Sequence, residues 1–152
     1  MNENVKFEMT KFIKAKREKV FSAWKDPVIL KKWFGPGELK IPDVQVDFKE
    51  GGSYKIDFEG SMRNEQTSGN AVGIYKKIIP NELLIFTFKG TWPGGSPESL
   101  VTIMFKDVKD GTEIILKQEH IVDAEAMEGF KHGWGSSLEK LAQLLSTESV
   151  HI

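Results

Sequence analysis

The chain has 152 residues, 39% hydrophobic and 28% charged, with a formal net charge of -1, the profile of one globular domain around one core. That balance supplies no global field to draw nucleic acid or an anionic membrane. Cysteine is absent, which excludes disulfides, thiolate catalysis and thiolate-ligated metals.

The opening residues, Met1 to Phe12, hold no long apolar run and do not read as a signal peptide. No stretch approaches the length of a membrane span, so a cytoplasmic location is expected. Val5 to Ile13 reads as a strand, because Val5, Phe7 and Met9 alternate with Lys6, Glu8 and Thr10. Lys16 to Lys25 reads as a short helix with Val20, Phe21 and Trp24 at helical spacing. Asp26-Pro27 restarts the helix, since Asp caps a first turn and Pro fits within it. The second helix carries Ile29, Leu30 and Trp33 on one side and stops at Gly35-Pro36-Gly37. The first forty residues hold ten Lys and Arg against five acids, interspersed, which reads as a solvated face rather than a patch for an acidic partner.

Six strand candidates follow, at roughly 40–49, 52–60, 69–79, 83–89, 98–107 and 111–121. Turn residues separate them: Glu50-Gly51-Gly52, Pro80-Asn81-Glu82, Trp92-Pro93-Gly94-Gly95 and Lys109-Asp110-Gly111. Tyr54, Ile56 and Phe58 form a one-sided apolar row, as do Leu84, Phe86 and Phe88, and Ile114, Leu116 and Gln118. Such strands predict an antiparallel sheet with one wet face. From Ala124 to Leu145 the residues Met127, Phe130, Trp134, Leu138, Leu141 and Leu145 recur at steps of three and four, predicting a long amphipathic helix. Residues 147–152 read as a frayed tail to a single domain spanning 1–152. Only the last helix is long enough to cover the dry face of the sheet, and the two short helices would close one end.

A curved sheet around one helix is hard to fill, and the apolar positions here are bulky: Trp33, Phe34, Phe48, Tyr54, Phe58, Phe86, Phe88, Trp92, Phe130 and Trp134. Aromatic rings at these positions would wall a ligand cavity or, taken singly, pack a core. Trp92, in the glycine-containing loop, reads as a gate or an edge contact. The final helix also carries Gly129, Gly133 and Gly135. Glycine inside a helix costs about 1 kcal/mol relative to alanine, so it needs a reason. Close approach of a neighbouring backbone and room for a ligand are both open.

The stretch Ala15 to Trp24, then Asp26-Pro27 and Trp33-Phe34-Gly35-Pro36, resembles the opening of the Hsp90 ATPase activator homologue 1-like (AHSA1-like) family. That family is a branch of the START/Bet v 1-like, polyketide cyclase-like superfamily. Asp47 to Tyr54 resembles its glycine-pair hairpin, and Gly73-Ile74-Tyr75 its next strand. Pro80 to Phe88 resembles the turn and strand after that, Gly111 to Gln118 the strand before the last helix, and Gly133-Trp134 with Leu138, Leu141 and Leu145 the closing helix. The resemblance implies an α+β helix-grip fold, a curved antiparallel sheet of six or seven strands around the C-terminal helix, with a cavity between them. It does not imply one function, because members resemble lipid and aromatic-ligand binders, polyketide cyclases and a eukaryotic co-chaperone.

Catalytic patterns are thin. His120 and His132 flank the start of the last helix but lack metal-ligand spacing. His132 and Ser136 lie four apart, yet the surrounding residues read as helix and not as a nucleophile elbow. Proton transfer within the cavity would fall to Tyr54, Tyr75, Gln118, His120 and His132, if they point inward. The expected function is binding of a small hydrophobic or aromatic ligand, oriented by Tyr54, Gln118 or His132, with no metal and no cofactor. The alternatives are a co-chaperone-type interaction protein and a cyclase-like enzyme. A monomer or weak homodimer is expected, without a nucleic-acid partner.

Overall fold

The structure, a computed structural model, describes residues 5–35, 39–62, 65–91 and 97–150, with backbone alone at 61, 62, 65–67 and 147–150. Strand β1 (Val5–Ile13) buries Phe7 and Ile13 and turns Lys6, Glu8 and Thr10 outward, as its alternation predicts. Helix α1 (Arg17–Ser22) buries Val20 and Phe21. It is shorter than its apolar spacing indicates because Pro27 drives Asp26 into an extended conformation, φ -88° and ψ 113°. Trp24 therefore sits in the turn between helices. Helix α2 (Pro27–Trp33) starts as the sequence predicts: Val28 N–H donates to the Asp26 carboxylate at 3.0 Å, and Pro27 occupies the first turn.

Six strands follow: β2 (Val44–Val46), β3 (Ser53–Met62), β4 (Glu65–Ile79), β5 (Leu83–Thr91), β6 (Ser99–Val108) and β7 (Gly111–Ile121). They form one antiparallel sheet with β1, in the order β1-β7-β6-β5-β4-β3-β2. The largest departure from the sequence reading is β2, three residues long where ten were expected, with Lys40 adding an isolated bridge to Glu59. Pro42 lacks an N–H for the ladder. After Val46 the chain folds back on itself and across β4, where Gly51 N–H donates to Tyr75 O at 2.8 Å and Tyr75 N–H to Gly52 O at 2.9 Å. The β4–β5 and β6–β7 turns place Asn81 and Asp110 at φ 66° and 68°, a left-handed conformation that short polar side chains tolerate.

Helix α3 (Ala124–Val150) has 27 residues, about 40 Å at the usual rise, and runs beyond its expected end at Leu145. It lies against β1, β7 and α2. Trp134, Leu138, Leu141 and Leu145 are buried in one core with Ile13, Val101, Ile103, Ile114 and Leu116, five residues with no exposed surface. Glu139 is ion-paired and hydrogen-bonded to Lys11, tying the helix to β1. The expected helix grip is therefore present. Its outer sheet face is not wholly polar: Ile79, Leu83, Met104 and Ile115 stand in register across β4 to β7. Among the described residues no helix is long and apolar enough to cross a membrane.

Candidate functional site

The inward rows of β3 to β7 bring most of the sequence-predicted aromatics into one network of touching rings. At one end Phe48 meets Tyr75 at 4.9 Å between centroids, and Tyr75 meets Tyr54 at 5.5 Å. Tyr54 and Tyr75 both pack on Phe86. Phe21 and Phe105 carry the network inward, and Trp24 joins it through Phe105 at 6.2 Å. Trp24 then stacks on Trp134 at 5.9 Å and 30°. Trp134 meets Phe34 and Phe88 at 6.1 and 6.0 Å, and Phe88 meets Phe130 at 5.7 Å. These are mostly edge-to-face contacts, the arrangement that ring quadrupoles favour.

The two ends differ in how well they are covered. Trp33, Tyr54, Phe58, Tyr75, Phe86, Phe88 and Trp134 are buried. Around Trp134, however, Phe34, Met127 and Phe130 are only half-buried, so the wall facing the first turns of α3 shows apolar surface. Phe48 is half-buried at the opposite end, beneath the Lys25 ammonium at 5.9 Å. A Cβ built at Gly133 or Gly135 meets no atom within 4 Å, so close backbone approach does not explain these helix glycines; Gly135 faces solvent and Gly133 is half-buried. Trp92, Gly94 and Gly95 lie outside the described residues.

The polar groups of the interior are held by one another. Trp134 Nε1–H donates to Gln118 Oε1 at 2.9 Å, Gln118 Nε2 donates to Ser99 Oγ at 2.8 Å, and the Ser99 hydroxyl donates to Phe88 O at 3.2 Å. This relay pins α3 to β7, β6 and β5. Gln118, fully buried, spends its amide on that relay. Trp33 Nε1–H donates to Ala23 O at 3.1 Å. The Tyr54 hydroxyl donates to Thr87 O at 2.7 Å. Trp24 is the exception: it is 4% exposed and its Nε1–H has no hydrogen-bond partner among the described residues. Sequence reasoning placed Trp24 only as a helical core residue, and a residue's type and spacing carry no signal of an unmatched donor.

The proton-transfer candidates separate by location. His120 and His132 are both exposed. His120 sits at φ 63° where the β1–β7 register shifts, a bulge that turns its side chain outward. Tyr54 and Tyr75 remain inside. Burial, and next the neighbouring Tyr75, pushes the Tyr54 phenol well above its ordinary value of 10. Burial, and next the Asp47 carboxylate, raises that of Tyr75. Neither phenol is a base near neutral pH. The folded state holds these two protons more tightly than the unfolded chain does. Their stabilising contribution is therefore complete below pH about 10 and lost as pH rises above it, through the folded-state values. Tyrosinate absorbance is expected to appear only together with loss of the helical circular dichroism, and Tyr54→Phe/Tyr75→Phe to extend the alkaline stability range. Titration near pH 10 with the fold intact would contradict this assignment.

Among the described residues no group of three or more His, Asp or Glu is placed to hold a metal ion. A surface cleft of about 310 Å³ lies elsewhere, between Lys14–Glu18 and the β6–β7 turn. Its charges are mixed, with Arg17 facing the Asp107 carboxylate at 3.6 Å.

A seven-stranded antiparallel sheet gripping one long helix, with an aromatic interior between them, defines a helix-grip protein of the START/Bet v 1-like type. The model of the family described as activator of Hsp90 ATPase homolog 1-like protein matches residues 14–146, and the chain belongs to that family. A protein of Chromobacterium violaceum is 28% identical, with a TM-score of 0.80 over 92% of this chain and 96% of that one. The AHSA1 protein of Silicibacter pomeroyi is 24% identical, with a TM-score of 0.82 over 95% and 99% of the two chains. A Staphylococcus aureus protein of unknown function shares 21% identity and a TM-score of 0.71 over 97% of each chain. At these lower identities the last two share the fold alone. No curated protein matches the chain.

Proposed function

We propose that the protein binds a small hydrophobic or aromatic molecule between the first turns of α3 and the inner face of the sheet. The observation that supports this reading is the uncovered apolar wall at Trp134. Phe34, Met127 and Phe130 stay half-buried there.

Thermal unfolding with a panel of fatty acids, flavonoid-like aromatics and polyketide-like ketones tests the reading. A ligand at a hundredfold excess over its Kd stabilises the native state by about 2.7 kcal/mol, a rise of about 5–10 °C in Tm for a domain of this size. Phe130→Ala is expected to weaken that rise while changing the unliganded Tm little, because its ring is half-exposed. No shift with any member of the panel would remove the proposal.

A further inference from the structure

A sheet packed on a helix with one face is expected to be polar on the other. Here the outer face carries an apolar row. Ile79 on β4, Leu83 on β5, Met104 on β6 and Ile115 on β7 are cross-strand neighbours in one line, which Thr10 on β1 continues. The residues beside them along the strands, Leu84, Ile103, Ile114 and Leu116, are buried on the inner side. The row therefore points away from α3, because successive side chains alternate between faces. Ile79 is 36% exposed and Met104 41%, and Phe12, one row further along on β1, is 49% exposed. Apolar side chains contiguous over four strands mark a surface that another molecule covers.

The charges beside the row indicate what fits it. Two residues along the strands on one side stand Lys106 on β6 and Glu113 on β7, which are cross-strand neighbours. On the other side stand Thr102 on β6, Lys117 on β7 and Glu8 on β1, again neighbours in register. Lys117 has Glu119 3.9 Å away on its own strand, and its side chain is 44% exposed. A second copy turned over about a two-fold axis along the row places each strand over its own copy, reversed, and the apolar row meets itself. Lys117 then faces the partner's Glu113, and Glu113 the partner's Lys117. Lys106 faces the partner's Thr102. The rim reads Lys106, Glu113, the partner's Lys117 and the partner's Glu8, alternating in sign. Such self-complementarity is what a two-fold dimer interface requires.

We infer that this outer face is a self-association surface, on which a second copy of the chain docks sheet to sheet, row on row. Stacked sheets lie about 10 Å apart, within reach of Lys and Glu side chains from both. Five strands and three rows make a patch about 20 Å by 20 Å at sheet spacings. That is about 800 Å² over both copies, the size of a weak interface, so a Kd on the order of 100 μM is expected. The ligand wall lies on the other side of the sheet, so pairing and ligand binding are independent and are tested apart.

Sedimentation equilibrium of the wild type between about 10 μM and about 1 mM is expected to show the dimer. Met104→Glu sets a carboxylate against its own copy at the centre of the row and is expected to weaken association about a hundredfold or more. Glu113→Lys and Lys117→Glu each set like charges face to face, so each alone is expected to be monomeric. An equimolar mixture of those two variants is expected to regain the dimer, because in the mixed pair every base again faces an acid. The Met104 methyl resonance of the wild type is expected to shift over the same concentration range, a reading that needs no variant. A wild type that stays monomeric at about 1 mM overturns the proposal and leaves the face to a different partner. A dimer that survives Met104→Glu, or one whose formation leaves the Met104 methyl unmoved, overturns it too, since that dimer uses another surface. A mixture that stays monomeric overturns the row-on-row pairing.

Discussion

Replacing Gly73 with alanine is expected to destabilise the protein by about 3 kcal/mol or more, lowering Tm by about 6–12 °C. Gly73 stands directly opposite Tyr54 in the β3–β4 register. The Tyr54 ring lies over the missing side chain so that its hydroxyl can cross β4 and reach Thr87 O on β5. A Cβ at position 73 falls 1.9 Å from Thr87 O and 2.7 Å from both the ring and hydroxyl of Tyr54. The first of these atoms is backbone, held in the sheet beside the hydrogen bond from Ile74 N–H to Thr87 Oγ1 at 2.9 Å, and it has no rotamer to give. Two strands must therefore part, and the Tyr54–Thr87 hydrogen bond goes with them. Adding Tyr54→Leu is expected to restore only part of the loss, because the Thr87 carbonyl remains in the way. Chemical denaturation of the two single variants and the double measures this. A Gly73→Ala protein within about 1 kcal/mol of wild type would contradict the geometry.

Gln118→Leu is the second large effect, about 2–3 kcal/mol of lost stability at nearly constant volume. The substitution leaves Trp134 Nε1–H, 4% exposed as a residue, without its acceptor, and takes from Ser99 the donor it receives. The cost is desolvation that nothing repays, so it should shrink when the stranded partner is removed as well. Gln118→Leu/Trp134→Phe is therefore expected to be more stable than the sum of its single variants by about 1–2 kcal/mol, the sign of a direct interaction. Loss of the relay also frees the Trp134 ring, which should flatten the near-ultraviolet circular dichroism of Gln118→Leu. Additive single effects would mean that Gln118 does not act through Trp134. The consequence reaches the proposed site, since the Trp134 ring packs against Phe34 and Phe88 there.

Much of this molecule is legible in one dimension. Alternation in Val5–Ile13 and in the rows Tyr54-Ile56-Phe58 and Ile114-Leu116-Gln118 specifies which side of each strand is dry, because successive residues point to opposite faces. Asp26-Pro27 specifies a helix start by supplying a cap and a preset φ, and the three-and-four spacing from Met127 to Leu145 specifies the inward stripe of α3. Those local rules, with the family resemblance, were enough for the helix grip and for most of the rings that meet inside it.

Partnership is where local rules stop. Periodicity says that Gln118 faces inward but not that it meets Trp134 and Ser99, residues 16 and 19 positions away. Nothing in the strand pattern predicts that β1 pairs with β7, that Tyr54 needs Gly73 bare, or that a bulge turns His120 out of the interior. The expected ten-residue second strand shrank to three because Pro42 and the fold-back after Val46 compete with the ladder. Trp24 shows the same limit most sharply. Whether its N–H finds an acceptor depends on which atoms long-range packing brings to it, and that is decided only when sheet and helix close.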